Sequence, residues 1–338
     1  MTQASAAPGP APGQPRQRST DDLVEGVLRG DVRSVARVIS LVEDGSPALP
    51  ELAAALAPHA GRARVVGITG SPGVGKSTTT SALVTLLRAE GRRVGVLAVD
   101  PTSPFSGGAL LGDRVRMQEH ATDPGVFIRS MASRGHLGGL AGATPQAVRV
   151  LDAAGCDDVL VETVGVGQSE VEVAALADTT VVVLAPGMGD AIQAAKAGIL
   201  EVADVFVVNK ADREGADTTV RELRAMVSLG RREAAEPGSW RPPIVTTVAT
   251  AGEGLSELLA AVAAHQEWLD ADGRREQRRA RRHAAEVEAL AWQTWHTQWF
   301  DGAQPTGRLA QLAREVEEGR TDPYAAAAEL IRAWRASP

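Results

Sequence analysis

Residues 65–81 read VVGITGSPGVGKSTTTS. The apolar run 65–69 has strand character. The eight residues after it, Gly70-Ser71-Pro72-Gly73-Val74-Gly75-Lys76-Ser77, match the pattern G-x-x-x-x-G-K-[ST]. A helix is expected to follow over 77–89. Strand, glycine-rich turn and helix in that order make a phosphate cradle. The glycines let backbone N–H groups turn toward phosphate oxygens, and the helix N-terminus adds its positive end. In such a loop Lys76 reaches the β and γ phosphates, Ser77 ligates Mg²⁺, and Thr78 lies beside them. The stretch predicts a nucleotide-binding α/β fold.

Outward from this turn, strand-like runs recur at 93–99, 126–129, 159–161, 179–184, 205–208 and 244–248, with helical segments at 145–154, 191–200 and 218–228 between them. That alternation predicts a doubly wound, mostly parallel sheet with ligands at the carboxyl ends of its strands. Upstream, 22–44 reads as one helix, with Leu23, Val27, Leu28, Val35, Val38, Ile39 and Val42 on apolar faces, and 51–56 begins another. Beyond 255 the strands stop, and helices are expected at 255–269, 274–300, 309–318 and 323–334. The chain thus divides into a disordered tail (1–20), an N-terminal helical extension (21–60), a nucleotide domain (61–265) and a C-terminal helical segment (266–338).

Five of the six tryptophans lie at or beyond Trp268, and Trp292, Trp295 and Trp299 are spaced to share one helix face. Too few residues remain there for an independent core, so the segment is expected to pack on another surface, as a homodimer interface. The basic run Arg274, Arg275, Arg278, Arg279, Arg281 and Arg282 reads as a solvated face.

Bulk properties narrow the field. The chain has 338 residues, 44% apolar and 23% charged, which suits a globular domain with an attachment. No apolar run is long enough to span a membrane. A net charge of −7 argues against general nucleic-acid binding. The N-terminal tail carries Arg16 and Arg18, but its prolines forbid the amphipathic helix of a transit peptide. The lone Cys156 excludes an intramolecular disulfide framework, and a cytoplasmic location is expected. Lys and Arg total 35, yet only Lys76, Lys196 and Lys210 are lysines. A compact ammonium is therefore expected to matter where one is kept.

Two of those lysines fall in nucleotide motifs. Asn209-Lys210-Ala211-Asp212 follows the run 205–208 and matches the base-reading pattern N-K-x-D. Asp212 can accept from guanine N1–H and its 2-amino group. Adenine offers neither donor and would leave a buried carboxylate unpaired. Asn209 would brace the loop, the Lys210 stem would cover the base, and Ala249 and Thr250 add backbone contacts. The expected ligands are GTP and GDP.

Between the motifs lies DDVLVETVGVGQSE, 157–170, where an apolar run ends in Glu162. Asp100 closes an earlier strand and is a candidate for Mg²⁺ or its water. Asp113 either serves the same site or caps a helix over 114–119. Gly165 can offer its N–H to the γ-phosphate, and Gln168 can touch the attacking water. Arg114, Arg116 and Arg134 are possible sources of transition-state charge, none fixed by a motif.

LAVDPTSPFSGGALLGDRVRM, IRSMASRGHLGGLAGAT, VETVGVGQSE and VVNKAD together resemble the MeaB/ArgK family of P-loop GTPases, associated with methylmalonyl-CoA mutase and its relatives. The resemblance runs from about Leu23 to the C-terminus. It implies a SIMIBI-type G domain in which the usual D-x-x-G acid is Glu, here Glu162. It implies that Asp100, Asp113 and Glu162 serve Mg²⁺ and the switches. It also implies that 189–203, containing Lys196, is a switch that responds to the mutase. The expected activity is GTP hydrolysis, slow alone and stimulated by the partner. The implied role is a chaperone that gates adenosylcobalamin loading and protects or reactivates an acyl-CoA mutase, with cobalamin reached only through that partner.

Other classes fit less well. A nickel-insertion GTPase needs metal ligands, but Cys156 is alone and His59, His120, His136, His265, His283 and His296 are scattered without ligand spacing. A kinase of amino-acid-binding transport proteins needs a phospho-acceptor, and none is identifiable. A scaffold that holds nucleotide only structurally would show no turnover.

Overall fold

The structure is a computed structural model and describes residues 19–101, 117–133, 143–163, 169–187, 202–234, 238–296 and 305–336. The chain forms two compact units, Met1–Trp268 and Leu269–Pro338.

The first unit is built on a seven-stranded sheet: β1 (Arg64–Thr69), β2 (Val94–Pro101), β3 (Val126–Ser133), β4 (Asp158–Thr163), β5 (Thr179–Leu184), β6 (Val205–Asn209) and β7 (Ile244–Thr247). The order is β3-β2-β4-β1-β5-β6-β7 and every pairing is parallel. Helices cover both faces, which is why the strands read as unbroken apolar runs. Alternate residues serve opposite sides. Val65, Val159 and Val161 pack with helices α1 (Thr20–Leu28), α2 (Val32–Glu43), α3 (Leu49–Leu56), α5 (Ala143–Ala153) and α6 (Ser169–Leu176). Val66, Ile68, Leu160, Val181 and Val183 pack with α4 (Lys76–Ala89) and α8 (Leu255–Asp270). Val182, Leu184, Phe206 and Val208 meet α7 (Ala216–Ala234).

The helix expected over 22–44 is two helices. Gly30 sits at φ 72°, a left-handed conformation that ends α1, and Asp31 caps α2 by accepting from the Ser34 backbone N–H at 3.0 Å. Of the helix expected over 114–119, residues 114–116 lie outside the described residues. The chain that follows forms a single 3₁₀ turn over Gln118–His120. β4 runs two residues past the expected 159–161, so Glu162 lies within the strand.

The second unit comprises α9 (Arg274–His296), α10 (Pro305–Glu317) and α11 (Pro323–Ala336). Leu312, Ala326 and Leu330 form its small core, with Val316 against them. Among the described residues no helix is long and apolar enough to cross a membrane.

Candidate functional site

The site is assembled at the carboxyl ends of β1, β4 and β6. β1 delivers the chain into Gly70, and α4 departs from Gly75, whose φ of 99° is left-handed. Both glycines are required by close approach as well as by conformation. A Cβ on Gly70 (φ 138°) would lie 2.1 Å from the Val183 carbonyl oxygen of β5, and one on Gly75 would lie 2.3 Å from Asn209 Nδ2. Between these glycines the loop passes from the end of β5 to the end of β6. Gly73 (φ 78°) has open space where a Cβ would stand.

The N-K-x-D segment grips this loop by its backbone. Asn209 Nδ2 donates to the Val74 carbonyl at 2.8 Å, and Lys210 Nζ donates to the Gly73 carbonyl at 2.6 Å. Asn209 Oδ1 in turn accepts from Thr247 Oγ1 and from the Ala249 N–H, each at 3.1 Å. Lys210 has φ 58°, a strained conformation for a side chain-bearing residue, in the turn that leaves β6. The Ala211 N–H donates to the Thr247 carbonyl at 3.0 Å, fixing that turn to β7. Asp212 and Thr250 stand exposed beside it, while Ala249 is buried. Thr247 was not among the residues expected from the sequence. A hydroxyl at a strand end carries no distinguishing signal.

Beneath the loop, Lys76 is buried and folds back, its ammonium donating to the carbonyls of Gly70 at 2.7 Å and Ser71 at 3.0 Å. Ser77, also buried, donates from Oγ to Glu162 Oε1 at 2.5 Å. Glu162 is 1% exposed and sits in register with Ile68 of β1 and Ala98 of β2. A hydroxyl and a carboxylate in contact at a helix N-terminus are oxygen donors of the kind Mg²⁺ takes, so the donor set fits that ion. Pro72, Gly73 and Thr78 line the exposed side of the loop.

Asp100 is the penultimate residue of β2, paired with Ala132 of β3, at the same end of the sheet as Glu162. Asp113, Gly165, Gln168, Lys196, Arg114, Arg116, Arg134 and Trp299 lie outside the described residues. Among the described residues no group of three or more His, Cys, Asp or Glu is placed to hold a metal ion.

At the opposite, amino end of the sheet, charge is handled differently. Asp158 opens β4, and burial pushes its carboxyl up to about 6 even though Arg92 pairs with it at 2.6 Å. Arg88, near the end of α4, bonds Asp123 at 2.9 Å and holds that carboxyl below its usual range. These groups anchor the far end of the helix that carries Lys76 and Ser77.

A family model described as methylmalonyl Co-A mutase-associated GTPase MeaB matches residues 35–302. A protein of Pyrococcus abyssi, named for an inferred GTPase activity, is 48% identical over 312 residues, covering 92% of this chain and 96% of that one. The methylmalonic aciduria type A homolog of Mus musculus, named as mitochondrial, is 33% identical over 333 residues, covering 94% of this chain and 80% of that one. The crystal structure of a LAO/AO transport system kinase superposes with a TM-score of 0.71 at 27% identity, covering 96% of this chain and all of that one.

Proposed function

The chain belongs to the family of methylmalonyl Co-A mutase-associated GTPases, MeaB, and from that premise we propose that it is the GTP-driven chaperone of an adenosylcobalamin-dependent acyl-CoA mutase. The activity itself is that of a GTPase. The finer role is to gate cofactor loading and to protect or reactivate the mutase.

The observation that carries the nucleotide reading is the double grip of Asn209 and Lys210 on the carbonyls of Val74 and Gly73. It ties the base-reading turn directly to the phosphate loop, the two segments that a guanine nucleotide would contact together in this reading. In this reading the loop N–H groups and the start of α4 take the phosphate oxygens. Lys76 leaves its loop carbonyls for the β and γ phosphates, and Asp212 accepts from guanine. Ser77, Asp100, Asp113 and Glu162 would hold Mg²⁺, which supplies positive charge to the β and γ phosphates. Gly165 meets the γ-phosphate and Gln168 orients the water. That water attacks the γ-phosphorus, the bond to the bridging oxygen breaks, and GDP and phosphate leave.

The mutase reading draws support from the family description and from the name of the Mus musculus relative. The segment 189–203, with Lys196, is assigned the response to the mutase. The transport-kinase name of the structural neighbour offers a second reading, but no phospho-acceptor is identifiable in this chain.

The test is recovery of partners on immobilised protein loaded with GDP or with a non-hydrolysable GTP analogue. An acyl-CoA mutase held in a nucleotide-dependent way is the expected result, and GTP turnover should rise when it is added. Lys196→Ala should leave basal turnover near normal and lower the stimulated rate about tenfold, a coupling of about 1.4 kcal/mol. Absence of a mutase in both nucleotide states would sink the chaperone role.

A further inference from the structure

The ladder between β1 and β4 ends one residue short of both strands. Its last pair is Ile68 with Glu162, whereas the strands close at Thr69 and Thr163. Thr69 continues in register with β5, opposite Val182, and Thr163 with β2, opposite Val99. At this level β1 meets β4 through a side-chain hydrogen bond, Thr69 Oγ1 to Thr163 Oγ1, at 3.1 Å. Both threonines are 0% exposed.

Each member of the pair adjoins a different part of the site. Thr69 precedes Gly70, the first residue of the phosphate loop. Thr163 follows Glu162 directly, and its neighbour Val99 precedes Asp100. We propose that the Thr69–Thr163 hydroxyl pair is the positioning element that holds the Glu162 carboxylate against Ser77, and so sets metal affinity without touching metal or nucleotide. This rests on the reading of Ser77 and Glu162 as metal-holding residues.

The physical case has three steps. Strands of a twisted sheet diverge where their ladder stops, and here the phosphate loop must leave β1 at that point. A β-branched side chain is stiff at χ1, so two threonines facing one another make a short, rigid strut. The site they serve has little slack. Ser77 Oγ donates directly to Glu162 Oε1, and donor groups of this kind must be held to about 0.5 Å.

Thr163→Val removes the hydroxyl and keeps the shape. The direct readout is Mg²⁺ affinity of the GDP-bound protein by titration calorimetry, with kcat and KM for GTP alongside. Mg²⁺ affinity and kcat should each fall about tenfold, while GDP affinity without Mg²⁺ stays within about twofold. Thr163→Ser keeps the hydroxyl and gives up only the β-branch, and should hold both closer to the parent's values than Thr163→Val does. Thr69→Val should reproduce the defect from the other strand.

The double variant Thr69→Val/Thr163→Val leaves no orphaned hydroxyl. It should melt no lower than either single variant yet bind Mg²⁺ no better. Unchanged Mg²⁺ affinity in the single variants, or its recovery in the double, overturns the proposal. Glu162→Gln separates the two levels. If it weakens Mg²⁺ binding and the threonine variants do not, the positioning role alone fails. If it too changes nothing, the metal reading fails and the proposal with it.

Discussion

Asp158 shows how burial at a single residue outweighs an ion pair. Arg92 lies 2.6 Å away, yet the carboxyl sits at about 6 against an ordinary 3.8, because removal from water penalises the charged form more than the guanidinium favours it. The native state therefore binds a proton more tightly than the unfolded chain does. Between pH 3.8 and about 6 this group's contribution to stability falls as pH rises, and above that its cost is fully present. Asp158→Asn should remove that slope. Urea unfolding at pH 4 and pH 7 should show the variant gaining on the parent by about 2 to 3 kcal/mol across the range. Equal slopes would mean that Arg92 compensates the burial fully. Asp212 stands at the other end of the sheet, exposed beside the buried Asn209. Asp212→Asn should weaken GDP binding by about 2–4 kcal/mol, because a two-bond acceptor becomes a half-matched amide. Calorimetry on both proteins checks it, and equal affinities would remove Asp212 from the base site.

Individual elements divide into those the sequence reveals and those it conceals. The strands were legible because burial on both faces leaves them apolar without interruption, as in Val181-Val182-Val183. The phosphate loop was legible because its glycines meet fixed local demands. The break between α1 and α2 was not, since apolar positions continue on helical spacing through Val35, Val38 and Ile39 and mask the signal in Gly30-Asp31. The grip of Asn209 and Lys210 on the loop spans 135 and 137 residues of chain. Only the sheet order, which puts β6 two strands from β1, brings those residues together, and no local pattern encodes it. The N-terminal helices belong to the core of the first unit. Ile39 of α2 is fully buried and shares a cluster with Val150 and Leu151 of α5, while Glu43 and Ser40 hold Arg129 of β3. Ile39→Ala should accordingly cost about 2–5 kcal/mol in chemical unfolding. GDP affinity of the folded fraction should be unchanged, since no residue of α1–α3 enters the nucleotide site. A loss below about 1 kcal/mol would show that the helices are only loosely attached.

For the molecule as a whole, the division of labour follows its two units. Every described residue of the nucleotide site falls within the first, Met1–Trp268. In the second, α9 runs for 23 residues without burying one, and it exposes Val287, Leu290 and Trp292, the last at 62%. Trp292 and Trp295 pack edge to face with centroids 5.4 Å apart, so two large apolar rings occupy one stretch of helix surface. Isolated exposed apolar residues need no explanation, whereas a cluster with paired indoles has the composition expected of an interaction surface. Assigning that surface to self-association predicts a homodimer in light scattering or sedimentation equilibrium. Val287→Glu with Trp292→Glu would place carboxylates in the centre of the contact, where desolvation is most costly. Dimer affinity should drop about 30-fold or more, corresponding to a loss of at least about 2 kcal/mol, with GDP affinity unaltered. A variant that keeps the parent's mass and GDP binding would locate the self-contact elsewhere. A parent already monomeric at high concentration would leave the tryptophan face to the proposed mutase partner, and any GTP turnover which that partner stimulates should then fall in the same variant.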